Sequence, residues 1–212
     1  MNAELVILTK SSKHKGYCVA GIDMKSGQWI RLTSDDESTH GALFPSDMRY
    51  ESGGACQPLD VVKVKIISRS PLEYQPENVL IAKGHTWEKM GTLSINEVLR
   101  IHPSERHNYI FGNQGPYVTA SEIGDIGYSL TLVTVKSLHI SKTTNLSGAP
   151  RTKTSFLYDT RWYNNMSVTD PAYYSAPDGT RIKEAALVIS LPDAPFNEDK
   201  YYKFVAQIYQ LA

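Results

Sequence analysis

Two groups of basic and aromatic side chains carry the chemistry that this sequence can offer. Cations neutralise phosphates and flat rings stack on bases, so such a group suits a single-stranded nucleic acid. The first group lies between Thr9 and Arg31, a stretch with five Lys/Arg residues and one acid, Asp23. The binding residues predicted in this group are Lys10, Lys13, Lys15, Tyr17, Trp29 and Arg31.

The second group lies on a predicted hairpin around residue 160. Its members are Arg151, Lys153, Phe156, Tyr158, Arg161, Trp162 and Tyr163. All of them except Trp162 are predicted binding residues, and Phe156 and Tyr158 are predicted to stack on bases. Because side chains alternate along a strand, the cations and rings do not obviously share a face. Core packing explains the rings of both groups as well as ligand binding does, so both interpretations stay open.

The sequence gives little support for catalysis or metal binding. It contains no phosphate-binding Walker loop, dinucleotide fingerprint, zinc-protease motif or serine nucleophile elbow. Its six histidines are scattered without metal-ligand spacing. His14 and Cys18 are close in sequence, but on an extended chain they need not converge. We therefore expect a non-enzymatic protein with no cofactor and no metal.

The composition limits the possible partners and the compartment. The 212 residues are enough for two compact domains of roughly 90 residues each. With 22 Lys/Arg and 22 Asp/Glu, the zero net charge argues against purely electrostatic DNA binding but allows a local basic face. The apolar run after Glu4 is too short for a signal peptide or a membrane span. We expect a cytoplasmic protein in which Cys18 and Cys56 are reduced thiols.

The second half of the chain looks like a diverged repeat of the first. Residues 4–15 match 129–142, and the hairpin in 16–32 matches the hairpin in 154–170. Another β-rich run closes each half. The predicted domains are a first barrel at 1–85, a partly helical connector at 86–127 and a second barrel at 128–212. In the connector, Ser94 and Glu97 form a capping-box pattern, and the short helix ends at His102-Pro103.

This pattern favours a mainly β fold. Short strands separated by turns, about five in each half, fit two tandem OB-like β-barrels with a short helical connector. An immunoglobulin-like sandwich is the structural alternative, and it is less favoured because the Cys…Trp…Cys spacing is absent.

Four segments resemble the bacterial dual OB-containing domain family. They are LVILTKSSKHKGYCVAGIDMKSGQWIRLTS, DVVKVKIISRSPLEYQPENVLIA, RTKTSFLYDTRWYNNMSVTDP and LVISLPDAPFNEDKYYKFVAQIY. The resemblance covers nearly the whole chain and implies two fused OB-like barrels. It also implies a role in sensing nucleic acid or nucleotides within bacterial conflict and phage-defence systems. It supplies no catalytic residues.

Three functional hypotheses follow. The preferred one is a recognition module for nucleic acid, single-stranded or atypical in structure, in an anti-phage or conflict system. The second is a sensor of a small nucleotide-like ligand in the cleft between the barrels, which the zero net charge and an acidic middle segment favour. The third is an interaction scaffold with a defence-system effector protein as partner. None of them involves a membrane.

Overall fold

The structure is a computed structural model that describes residues 1–145, 147–196 and 199–211. It divides into two compact units. The first contains Met1–Leu72 and Pro76–Pro103, and the second contains Glu73–Gln75 and the chain from Ser104 onward. The boundary between the two units at Pro103 and Ser104 lies within residues 86–127, the predicted connector.

In the described residues, the first unit has six strands and one α-helix. Strands β1 to β6 are Asn2–Lys13, Gly16–Asp23, Trp29–Thr33, Asp60–Arg69, Asn78–Ile81 and Glu88–Thr92, and helix α1 is Ile95–Ile101. The pairings β1–β2, β2–β3, β3–β5, β5–β4 and β4–β1 form a closed circuit, in which only β3–β5 is parallel. We call this circuit the first barrel. Strand β6 pairs with β4 outside the circuit.

The second unit repeats this topology in the part of the chain that the structure describes. Strands β7 to β13 are Tyr117–Thr119, Leu130–Thr144, Pro150–Tyr158, Arg161–Val168, Arg181–Ser190, Lys200–Tyr202 and Phe204–Gln210, and helix α2 is Ala120–Ile123. A closed barrel, which we call the second barrel, runs β8-β9-β10-β13-β11, and β10–β13 is its parallel pair. Strands β7 and β12 form a separate two-stranded sheet. The predicted mainly β chain with two OB-like barrels is confirmed.

Short 3-10 turns and local signals complete the two units. The 3-10 turns are Glu37–Thr39, Pro45–Met48, Ile110–Gly112 and Pro171–Tyr173. The capping box at α1 is confirmed, because Ser94 Oγ accepts from Glu97 N and the Glu97 carboxylate accepts from Ser94 N. Gly27, in the β2–β3 hairpin, has the positive φ of 71° that favours glycine. Among the described residues, no helix has the length and apolar character needed to cross a bilayer.

Each barrel encloses its own hydrophobic core. In a small closed barrel, every second side chain of a strand points inward and fills the interior. In the first barrel, Val19 and Leu32 point inward, opposite each other on β2 and β3. In the second barrel, Phe156 and Tyr163 do so on β9 and β10. This alternation decides which residues of the two predicted groups can reach a ligand.

A buried carboxylate, Asp60, ties the segment before β4 to the first barrel. It accepts hydrogen bonds from Tyr50 Oη, Gln57 N and Thr92 Oγ1, and it pairs with Lys89. Burial by itself would raise the pKa of the carboxyl, but the hydrogen bonds from Lys89 and Tyr50 outweigh it and hold the pKa below its usual range. Asp60 is therefore a structural anion of the first unit.

Asp60→Asn should lower the free energy of unfolding by about 2–4 kcal/mol at pH 7, because it removes charge-assisted hydrogen bonds from a buried network. A carboxyl with a lowered pKa stabilises the fold above its unfolded pKa of about 4, so the difference from wild type should shrink as the pH falls below that value. Urea unfolding followed by circular dichroism measures both effects. The control is Asp35→Asn, which removes a surface pair with Lys83 and should leave stability near wild type. Equal loss in both variants would contradict this role.

A fully buried lysine, Lys203, holds the segment before β7 against the second barrel. Its Nζ donates to Ile110 O and Asn113 O, both at 2.7 Å, and to Asn113 Oδ1 at 2.8 Å. Burial disfavours the charged form and lowers the pKa of Lys203 to about 7, although Glu122 opposes the shift. The three oxygens accept hydrogen bonds from the ammonium while it is charged.

Because the unfolded chain retains the Lys203 proton up to about pH 10.5, stability should rise with pH between about 7 and 10. The expected contribution is up to about 1.4 kcal/mol per pH unit over this window. Lys203→Met fills similar space without titrating, so the difference in unfolding free energy between wild type and variant should change with pH by that amount. A difference that stays constant from pH 7 to 10 would show that Lys203 does not titrate there.

Candidate nucleic-acid interface

The first predicted group does not lie on one surface. Tyr17 is half-buried and packs against the core of the first barrel, and Lys10 lies on the same side of the sheet. The Lys10 ammonium lies 5.0 Å from the centre of the Tyr17 ring and donates to Cys56 O at 2.9 Å. Lys13 is half-buried at the end of β1, and Lys15 is exposed in the turn that follows.

Trp29 and Arg31 lie on the opposite side of the sheet, because they pair with Ile22 and Ala20 of β2. Arg31 is only 3% exposed, and its guanidinium donates to Cys18 Sγ at 2.9 Å. Ala20 and Ile22 are also buried, and Trp29 is half-buried. Arg31 therefore cannot serve as the phosphate contact that its charge suggested, and this side of β2–β3 does not present the predicted platform.

The aromatic rings of the second group lie in the core, which corrects the prediction that they stack on a ligand. Phe156 and Tyr163 stack on each other inside the second barrel, with ring centres 5.5 Å apart, and Tyr158 packs edge-on against Tyr163. The tyrosine hydroxyls are satisfied by backbone: Tyr158 Oη accepts from His107 N, and Tyr163 Oη accepts from Ile110 N. The three rings are structural because their positions on β9 and β10 point inward.

Two cations of the second group, Arg151 and Lys153, lie on the outside of β9, whereas Arg161 pairs with the core residue Tyr158 at the start of β10. Arg151 is exposed, and Lys153, two residues further along β9, donates from Nζ to Ser167 Oγ at 2.8 Å. Partial burial lowers the pKa of Lys153, and the nearby positive charge of Arg151 lowers it further. Arg161 is half-buried, with its guanidinium 4.6 Å from the centre of the Tyr109 ring and 3.5 Å from Asp159.

The structure brings these cations together with an aromatic residue that the prediction left out. Trp162 is 42% exposed, points outward on β10 beside Leu157 of β9, and meets the His139 ring edge-on at 6.1 Å. Outward side chains of β8, β9 and β10 form what we call the open face, whose members are Lys136, His139, Ser141, Thr143, Arg151, Lys153, Ser155, Leu157, Trp162 and Ser167. The sequence contains a signal for an exposed ring here. Trp162 and Tyr163 are neighbours on one strand, so their side chains point to opposite faces and only one of them can enter the core.

The open face is predominantly basic. Lys136 and Arg151 are exposed on it, and Arg181 of β11 adjoins His139. Glu184 of β11 lies opposite Lys136 and offsets part of this charge. Lys153 and Arg151 are close enough to lower the pKa of Lys153, so an anion placed between them would relieve their repulsion. The arrangement can bind an extended anion that also offers a flat ring to Trp162.

Burial sets the chemistry of one of the two cysteines. Cys18 and Cys56 are not disulfide-bonded. Cys56 is fully buried, and burial raises the pKa of its thiol to about 12, the opposite of what a nucleophile needs. In the ranges that the structure describes, His, Cys, Asp and Glu side chains do not gather in groups of three that could hold a metal ion.

A family model described as the dual OB-containing domain matches residues 3–208 of this chain. No curated protein and no solved structure matches it. The match spans both barrels, in agreement with the topology that they share.

The placement of the rings predicts that an inward ring contributes much more to the free energy of unfolding than an outward ring does. Phe156→Ala should lower the free energy of unfolding by about 3–5 kcal/mol, because it leaves a cavity in the core. Trp162→Ala removes an exposed side chain and should change it by less than about 0.5 kcal/mol. Chemical unfolding of both variants gives the comparison. A loss of several kcal/mol in Trp162→Ala would instead place Trp162 in the core.

Proposed function

Because this chain belongs to the dual OB-containing domain family, we propose that it is a non-enzymatic binding protein whose open face takes single-stranded nucleic acid. OB barrels bind oligonucleotides on the outer surface of their second and third strands. In the second barrel, those strands are β9 and β10, which carry Lys153 and Trp162. The observation that carries the proposal is the exposure of Trp162 on this surface among outward-facing cations.

Each part of the open face has a role in this proposal. Trp162 stacks on a base, an interaction that is available with any sequence because every base has a flat face. Arg151 and Lys153 neutralise consecutive phosphates, and Ser167 fixes the Lys153 ammonium through its hydroxyl. His139 supports the Trp162 ring from its edge.

The first barrel has a different part in this proposal. The surface equivalent to the open face, the outer side of β2–β3, carries the buried residues Ala20, Ile22 and Arg31. The ring on this side, Trp29, is half-buried, so the first barrel offers less ring surface for stacking than the 42% exposed Trp162 offers on the second. We assign recognition to the second barrel and place the protein in the bacterial defence setting that its family resemblance implied.

Fluorescence anisotropy with labelled 12-nucleotide oligothymidylate and oligouridylate tests stacking at Trp162. Trp162→Ala should weaken binding about 5- to 150-fold, the equivalent of 1–3 kcal/mol for one stacked base. The matched control is Tyr174→Ala, which removes another exposed ring of the second unit (47% exposed) outside the open face. Unchanged affinity in Trp162→Ala, or equal loss in Tyr174→Ala, would contradict the proposal.

The salt dependence tests the cations separately. For single strands, the logarithm of the binding constant falls with the logarithm of salt concentration by about 0.7 for each phosphate neutralised. Arg151→Ala combined with Lys153→Ala should therefore reduce this slope by about 1.4. A wild-type affinity that does not depend on salt would reject phosphate recognition. Thermal stabilisation by mononucleotides without oligonucleotide binding would select the small-ligand sensor instead.

A further inference from the structure

A second aromatic surface adjoins the open face and lies outside the residues discussed above. Four rings contact one another in sequence: Tyr117 with Tyr202 at 5.6 Å, Tyr202 with Phe196 at 6.5 Å, and Phe196 with Phe204 at 5.7 Å. We call these four rings the aromatic ladder. Phe196 is 65% exposed, and the other three are half-buried, so the ladder presents ring surface to solvent.

The strand register explains why these rings point outward. Tyr117 and Tyr202 are partners on the two-stranded sheet β7–β12, while their neighbours Val118 and Tyr201 are partners that enter the core. Period-2 alternation therefore turns Tyr117 and Tyr202 away from the barrel. Exposed aromatic surface is costly to keep in water, and a contiguous patch of it marks a binding site more often than scattered rings do.

The ladder is continuous with the open face. Phe204 of β13 pairs in parallel register with Ser167 of β10, so both side chains lie on the outer surface of the second barrel. Ser167 accepts the hydrogen bond from Lys153, which places the start of the ladder beside a cation of the open face. Trp162 lies five residues before Ser167 on β10, a separation of roughly 15 Å along the strand.

The charge of the ladder differs from that of the open face. The Lys200 ammonium lies 5.4 Å from the centre of the Tyr117 ring, and the exposed Asp199 precedes Lys200 in sequence. Neighbouring charges of opposite sign leave little net attraction for phosphate. Contacts at the ladder are therefore stacking contacts, which suit the bases of a strand whose phosphates are already neutralised at Arg151 and Lys153.

We infer that the aromatic ladder is a second base-stacking subsite, which extends the single strand from Trp162 across Ser167 and Phe204 to Phe196. This inference rests on the proposed function of the open face. It assigns a role to the two-stranded sheet β7–β12, which is an addition to the barrel circuit. It also predicts that binding depends on length, since a strand must be long enough to reach both Trp162 and the ladder.

The test compares a trinucleotide of thymidine with the 12-nucleotide oligothymidylate. Three stacked bases are separated by two steps of about 3.4 Å and so span about 7 Å, which is too short to join the two subsites. Phe196→Ala should weaken 12-mer binding at least 5-fold and leave trinucleotide binding, followed by tryptophan fluorescence, unchanged. It should also leave the salt slope of the 12-mer unchanged, because no phosphate contact is lost. Tyr202→Leu, which keeps an apolar side chain, should reproduce the effect, and Tyr174→Ala serves as the control.

The outcomes separate this inference from the proposed function. If Phe196→Ala and Tyr202→Leu bind the 12-mer with wild-type affinity while Trp162→Ala binds it more weakly, the ladder is not a stacking subsite. The proposed role of the open face would then be unaffected. No binding of any oligonucleotide by the wild type overturns both. Sedimentation that shows wild-type self-association lost in Phe196→Ala, with oligonucleotide affinity unchanged, identifies the ladder as a contact between copies of the chain and also overturns the inference.

Discussion

The closure of the second barrel is the constraint on which the open face depends. A closed circuit of strands has an inside and an outside, and a strand in it must send alternate side chains to each. On β10 this rule places Tyr163 in the core and Trp162 outside, although the two residues are adjacent and both are aromatic. On β9 it places Phe156 inside and the cations Arg151 and Lys153 outside. The same closure therefore builds the core and separates it from the open face.

Two copies of one topology need not share one role. Both barrels connect their strands in the same order with the same parallel pair. On the outer side of the second and third strands, the first barrel carries the buried Ala20, Ile22 and Arg31, and the second carries the exposed Trp162. The two barrels differ in that Arg31 is buried in the first and Trp162 is exposed in the second. A repeat that duplicates a fold can in this way give its two copies different outer surfaces.

The sequence predicted the architecture better than the site. The capping box at Ser94, the two hairpins and the repetition of the barrel depend on local patterns and are borne out. The alternation of Phe156 and Lys153 showed that they occupy opposite faces, but it could not show which face is interior. That choice depends on how the circuit closes. The basic residues around Tyr17 and Trp29 predict Arg31 as a phosphate contact, and only tertiary packing shows that it is buried. The β7–β12 pairing joins strands far apart in sequence, so no local pattern shows it.

Photochemical cross-linking tests the central claim most directly. A single strand in which thymidine is replaced by 5-iododeoxyuridine reacts on irradiation with aromatic side chains that stack against it, and mass spectrometry of the digested complex locates the attachment. The proposed binding surface predicts cross-links at Trp162 in the second barrel. Cross-links confined to the first barrel, at Tyr17 or Trp29, would contradict the assignment of recognition to the open face.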